Sequence, residues 1–82
     1  MYEIIFSQTA EKQLKKLEDS VQNRIVSVLD RIKIRPFSFV KKLVGHSSYR
    51  LRVGDYRVIM EIEADKLVIL VVEIGHRSKI YK

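Results

Sequence analysis

The stretch Tyr49-Arg50-Leu51-Arg52-Val53-Gly54-Asp55-Tyr56-Arg57-Val58-Ile59-Met60-Glu61-Ile62 decides how this chain folds. Apolar and polar residues alternate on both sides of Gly54-Asp55, which is the pattern of two strands joined by a tight turn. If Gly54-Asp55 is a two-residue loop, Val53 pairs with Tyr56 and Arg52 stands directly opposite Arg57. Tyr49, Leu51, Val53, Tyr56, Val58 and Met60 then share one face, which helices must cover. Arg50, Arg52 and Arg57 share the other.

Downstream, Leu67 to Ile74 is apolar except for Glu73, as expected of a strand covered on both faces. Ala64-Asp65 with Lys66 is the turn leading into it. Pairing Ile62 with Leu67 predicts that Ile59, Val68, Leu70, Val72 and Ile74 lie on the arginine face. That apolar stripe has no helix of its own to cover it; either Tyr2 to Phe6 and the C-terminal tail cover part of it, or it is a docking groove for another chain.

Upstream, residues 36 to 48 show no clean period and are expected to be a connecting loop. Before them, Val21, Ile25, Val28, Leu29 and Ile32 form one helical stripe, ended by Pro36. Ala10, Leu14 and Leu17 form a shorter one, capped by Ser7 or Thr9 and interrupted at Asp19-Ser20. Tyr2 to Phe6, aromatic and β-branched, reads as a strand. The expected class is α+β: an N-terminal strand, a helical hairpin, then a three-stranded antiparallel meander, all in one domain over residues 1–82.

Composition narrows the function. The 82 residues carry 16 Lys and Arg against 10 Asp and Glu, a net charge of +6 that suits a polyanionic partner. There is no cysteine, so disulfides, Cys-ligated zinc and thiol catalysis are all excluded. Two histidines make a His-built metal site unexpected, and neither a metal nor a cofactor is predicted. No apolar run reaches the ~20 residues of a membrane span, and the N-terminus lacks a signal-peptide pattern, so a cytoplasmic protein with no membrane partner is expected. A chain this short buries a modest core, and a partner could add stability.

The arginine face admits two readings. Arginine on an open sheet face is common, and Glu61 could neutralise one of the three. Yet like charges at directly opposed positions destabilise a strand pair, and a bound anion would relieve that repulsion. Guanidinium is well shaped to fork onto phosphate.

The string from Tyr49 to Ile62, the apolar strand after it, and Ile74-Gly75-His76-Arg77-Ser78-Lys79-Ile80-Tyr81 resemble the second half of RelE-family toxins. Lys42-Leu43 followed by Gly45 is similar to the family's loop before that strand. The resemblance spans essentially the whole chain, and the C-terminal half is its specific part. It implies the toxin of a type II toxin–antitoxin module, an endoribonuclease that cleaves messenger RNA on the ribosome and so inhibits translation. In that chemistry a ribose 2′-hydroxyl attacks the adjacent phosphodiester and the 5′-oxygen leaves, with fixed cations holding the developing charge. By the resemblance, Arg57 and Arg77 hold the scissile phosphate, Tyr81 orients or stacks on the nucleotide, and Arg50 and Arg52 stand where relatives carry basic residues. With Lys42, the strand arginines Arg50, Arg52 and Arg57 make up the expected RNA contact. The implied partners are a RelB-like antitoxin, an extended chain resting in part on Ile59, Val68, Leu70 and Val72, together with the ribosome and its message.

Two departures from the family pattern matter. Well-studied members carry lysine on the strand, where a lowered pKa permits proton transfer, whereas guanidinium stays protonated and is a poor base. His76 is then the candidate base, joining Arg52, Arg57, Arg77 and Tyr81 as the expected catalytic set, with His46 a weaker candidate. Met60 replaces a frequent aromatic on the covered face, a change of packing. Two alternatives stay open. One is a ParE-like inhibitor of DNA gyrase, which needs no base, and the other is a non-catalytic basic RNA-binding module.

Overall fold

Ser7 decides where the chain leaves its first strand. In the computed structural model, which describes residues 1–80, Glu3–Phe6 (β1) leads directly into Gln8–Lys15 (α1). The Ser7 hydroxyl accepts from the Ala10 N–H at 3.0 Å, so Ser7 and not Thr9 caps the helix. The helix break falls at Lys16 to Glu18, before Asp19-Ser20 and not at it, and Asp19–Ile32 (α2) starts with Asp19 in its first turn. A carboxylate there complements the helix dipole, which is why Asp19 opens a helix instead of interrupting one.

The segment 36–48 is more ordered than the expected connecting loop. Buried Pro36 opens a single 3₁₀ turn, Pro36–Ser38, and Lys41–Lys42 (β2) forms a short edge strand. A two-residue strand is too short to show a period in sequence; only its partner reveals it. Tyr49–Val53 (β3), Tyr56–Glu63 (β4) and Val68–His76 (β5) follow, and Arg77–Ile80 (α3) continues directly from β5.

The five strands form one sheet in the order β1-β5-β4-β3-β2. β1 runs parallel to β5, from Glu3 beside Val68 to Phe6 beside Val71, and the other neighbours are antiparallel. α1 packs on β5 and β1, and α2 on β3. Between helices and sheet, Ile25, Leu29 and Ile32 meet Leu51, Val58, Met60, Ile69, Val71 and Ile74, all at most 4% exposed. Burying a side chain of this size contributes roughly 1.5–3 kcal/mol, so this single layer carries most of the apolar stabilisation. Met60 is fully buried in it. No helix among the described residues is long and apolar enough to cross a membrane.

The first hairpin has the expected register: Val53 pairs with Tyr56 and Arg52 with Arg57. Gly54 has φ +60° while Asp55 does not share the positive sign, the pattern of a II′ turn whose first central position wants glycine. The second hairpin differs from expectation. Leu67 takes a left-handed φ of 55° and lies outside the strand, so β5 begins at Val68 and Glu63 pairs with Val68. Ile62 therefore faces Ile69 and not Leu67.

A bulge then resets the faces. Met60 pairs with Val71 but Ile59 pairs with Glu73, leaving Val72 as the extra residue on β5. Ile74, expected on the arginine face, instead points into the core at 2% exposure, and Glu73 takes the open face. Without the bulge strict alternation would send a carboxylate inward and an isoleucine outward, which is unfavourable on both counts. Its backbone is satisfied by α1 and the cap. The Ser7 hydroxyl donates to the Val72 carbonyl at 3.0 Å, and Gln13 Oε1 accepts from the Ile74 N–H at 2.6 Å.

Candidate functional site

Directly paired residues share a face, so the sheet register lays out the helix-free surface row by row. Near the β3–β4 turn, Arg52, Arg57 and Gly75 form one row. The next contains Lys41, Arg50, Ile59 and Glu73. Beyond the bulge come Glu61 with Leu70 and Ile5, then Glu63 with Val68 and Glu3. The face is thus polarised, cationic at the turn end and acidic with an apolar stripe at the other. An anion crossing it would be held at the Arg52–Arg57 end and repelled from the Glu61–Glu63 end.

The arginines are held by different means. Arg57 and Arg50 are half-buried, whereas Arg52 is exposed and its Nε donates to the Gly54 carbonyl at 3.3 Å. Arg77 joins this end because its backbone N–H donates to the Asp55 carbonyl at 2.9 Å, tying the start of α3 to the β3–β4 turn. Gly75, opposite Arg57, carries no side chain to crowd that row. Three guanidinium-bearing residues from two hairpin strands and the end of a third therefore border one small area.

Lys42 and His76 lie elsewhere. Lys42 pairs with Tyr49, on the helix side, and Lys41 is the lysine in row with Arg50. Lys41 is the residue that the sequence pattern missed, since nothing local reports the register of so short a strand. His76 pairs with Tyr56 on the helix side, with their rings edge to face at 5.6 Å. Its Nδ1 accepts from the Ser78 N–H at 3.3 Å and lies 2.9 Å from the Ser78 hydroxyl. Both contacts hold the ring on the helix side of the sheet, away from the row of Arg52 and Arg57. His46 is exposed in the 43–48 loop, away from the paired rows. Tyr81 lies outside the described residues. Among the described residues no three His, Asp or Glu side chains group as a metal site would require.

On the apolar half of the face, Val68 and Leu70 are half-buried, Ile5 is 42% exposed, and Ile59 is only 9% exposed between Arg50 and Glu73. Val72, at the bulge, is half-buried. The surface open to a partner therefore centres on Leu70, Val68 and Ile5. Ile5 was absent from the expected stripe because β1 joins the sheet from the far end of the chain.

Comparison with known proteins agrees with this architecture. The curated Toxin RelE3 of Methanocaldococcus jannaschii is 29% identical, over 95% of this chain and 93% of that protein. The RelE–RelB complex of Pyrococcus horikoshii superposes with a TM-score of 0.81 at 28% identity, covering 95% of this chain and 97% of that one. The isolated RelE toxin of E. coli superposes with a TM-score of 0.80 at 25% identity, covering 99% of this chain and 92% of that one. The family model for the ParE toxin of the type II toxin–antitoxin system, parDE, matches residues 4–81. The chain accordingly belongs to this toxin family of type II toxin–antitoxin systems, with RelE-type toxins among its relatives.

Proposed function

We propose that this toxin is a ribosome-dependent messenger-RNA endoribonuclease that works from the cationic end of its open sheet face. The observation that carries the reading is Arg52 directly opposite Arg57 in the β3–β4 ladder. A fold tolerates such a pair most readily where an anion is to be bound. In the proposed reaction a ribose 2′-hydroxyl attacks the adjacent phosphorus and loses its proton to water, the bond to the 5′-oxygen breaks, that oxygen takes up a proton from water, and a 2′,3′-cyclic phosphate remains. Arg57 and Arg77 hold the non-bridging oxygens as charge develops, with Arg52 and Arg50 on the flanking phosphates. Tyr81 orients the nucleotide. His76 pairs on the helix side of the sheet, so the proposed reaction does not draw on its ring. On this reading catalysis rests mainly on phosphate stabilisation and on the geometry that the ribosome imposes on the message.

Regulation follows from the same face. The solved relatives from P. horikoshii and E. coli include RelE–RelB complexes. By that likeness a RelB-like antitoxin covers the apolar half around Leu70 and Val68 and masks the arginines with acidic residues. A second reading, poisoning of DNA gyrase, draws on one feature: the candidate phosphate-binding cations are arginines, none of them a natural base. One experiment separates the two. Message 3′ ends are mapped in a translating extract with wild-type protein and with Arg57→Ala. The proposal expects new ends inside coding regions with wild type and their loss in the variant. Intact messages alongside arrested gyrase would refute it.

A further inference from the structure

Residues 31 to 42 contain five lysines and arginines and no carboxylate. The preceding Asp30 takes Lys33 at 2.7 Å, while Arg31, Arg35, Lys41 and Lys42 have no ion pair among the described residues. Interleaved with these cations are apolar side chains that the core does not absorb: Ile34 is 63% exposed, Phe37 48% and Phe39 51%. Phenylalanine is ordinarily among the most buried residues, so two on one exposed corner call for an explanation.

The corner is built and not frayed. Buried Pro36 anchors the 3₁₀ turn, the Phe39 N–H donates to the Pro36 carbonyl at 3.0 Å, and Phe37 meets Tyr49 edge to face at 5.4 Å. Two open hollows of about 260 Å³ and 240 Å³ share Ile34, Arg35 and Ser38. Phe37 walls the first, and Phe39 with Arg31 walls the second. The corner lies on the helix side of β3, where Phe37 meets Tyr49, and the chain leaves it through the edge strand β2, whose Lys41 pairs with Arg50 on the opposite face.

We infer that this corner is a second RNA-binding surface, on which unpaired bases stack against Phe37 and Phe39 while Arg31 and Arg35, which line the two hollows, hold the phosphates between them. Single-stranded nucleic acid offers one planar base for each phosphate, and a cationic groove studded with exposed rings is the complement of that repeat. An acidic peptide would satisfy the cations but supplies no ring for each charge. The inference rests on the reading of this toxin as an RNA-acting protein and extends it to an anchoring site away from the proposed scissile phosphate.

The test uses the purified full chain and two fluorescent ligands of about 12 nucleotides, near the upper range for one single-strand-binding domain. One is 2′-O-methyl RNA, which cannot be cleaved through its 2′-oxygen, and the other an abasic strand with the same phosphates. Phe37→Ala/Phe39→Ala is expected to weaken binding of the base-bearing strand by at least about fivefold for each stacked base. The same variant should leave the abasic strand unaffected, and Phe37→Tyr/Phe39→Tyr should restore wild-type affinity. Arg31→Ala/Arg35→Ala should weaken both ligands. Thermal midpoints within a few degrees of wild type are expected throughout; should the alanine pair unfold, Phe37→Leu/Phe39→Leu, which keeps apolar bulk but removes the rings, is expected to show the same loss on the base-bearing strand alone. Unchanged affinity for the base-bearing strand in the alanine or leucine pair, equal losses on both ligands, or loss of antitoxin binding alone would overturn the inference. Because neither ligand can be cleaved, that outcome is independent of whether Arg57→Ala abolishes message cleavage in extracts.

Discussion

Arg52 and Arg57 face each other across β3 and β4, and this pairing should cost the fold stability that function recovers. Like charges directly opposed across a strand pair cost roughly 0.2–1 kcal/mol. Arg52 is exposed and so solvent-screened, which places the value in the lower half of that range. A double-mutant cycle of Arg52→Thr, Arg57→Thr and the double variant isolates this quantity from the strand preference of threonine. Each single variant removes the repulsion once, so the double variant should gain less than the sum of the singles by about 0.3–0.6 kcal/mol. For a domain this small, 1 kcal/mol moves the thermal midpoint by about 4–8 °C, so a coupling of that size is resolvable by urea or thermal unfolding. Raising salt from ~0.1 to ~1 M shortens the screening length from ~10 to ~3 Å and should erase most of the coupling. RNA affinity should move the other way, falling in every variant of the cycle. Zero or attractive coupling at low salt would refute the argument, because the guanidinium groups would then not oppose each other in solution.

Two further outcomes follow from the packing. Ser7→Ala removes both the α1 cap and the donor to the bulge carbonyl of Val72, and should lower stability by about 1–2 kcal/mol in denaturant unfolding; a change under about 0.3 kcal/mol would show that water replaces both bonds. Leu70→Glu sets a second carboxylate directly opposite Glu61 in the apolar stripe, and should weaken antitoxin binding by at least about tenfold in calorimetry, since the complex would bury an unpaired charge; wild-type affinity in a folded variant would put the antitoxin elsewhere.

Much of the candidate site was legible in sequence because it lies in a local hairpin. Period-two alternation around Gly54-Asp55 sets a register that needs no distant contact, and that register alone puts Arg52 against Arg57 and Arg50 on the same face. The helices were legible as stripes for the same reason, since each apolar face repeats within a few turns. What stayed hidden depends on partners far along the chain. The pairing of β1 with β5 joins Glu3 to Val68, and it brings Ile5 onto the docking stripe. Lys41 takes its place beside Arg50 only because a two-residue edge strand finds β3.

The bulge at Val72 separates the two kinds of information most clearly. Within Val68 to Ile74 the sequence reads as apolar on both faces, so alternation could not say which way Glu73 and Ile74 point. The packed structure decides it. Ile74 is buried in the core beneath the helices, Glu73 is exposed on the other face, and Ser7 and Gln13 bond the backbone groups at the irregularity. The fold class, the hairpin and the arginine pair follow from local periodicity and turn chemistry, and so could be read from the residues alone. Only the tertiary structure decided where the open face turns from cationic to apolar, because that boundary is set by which side chains the core can enclose.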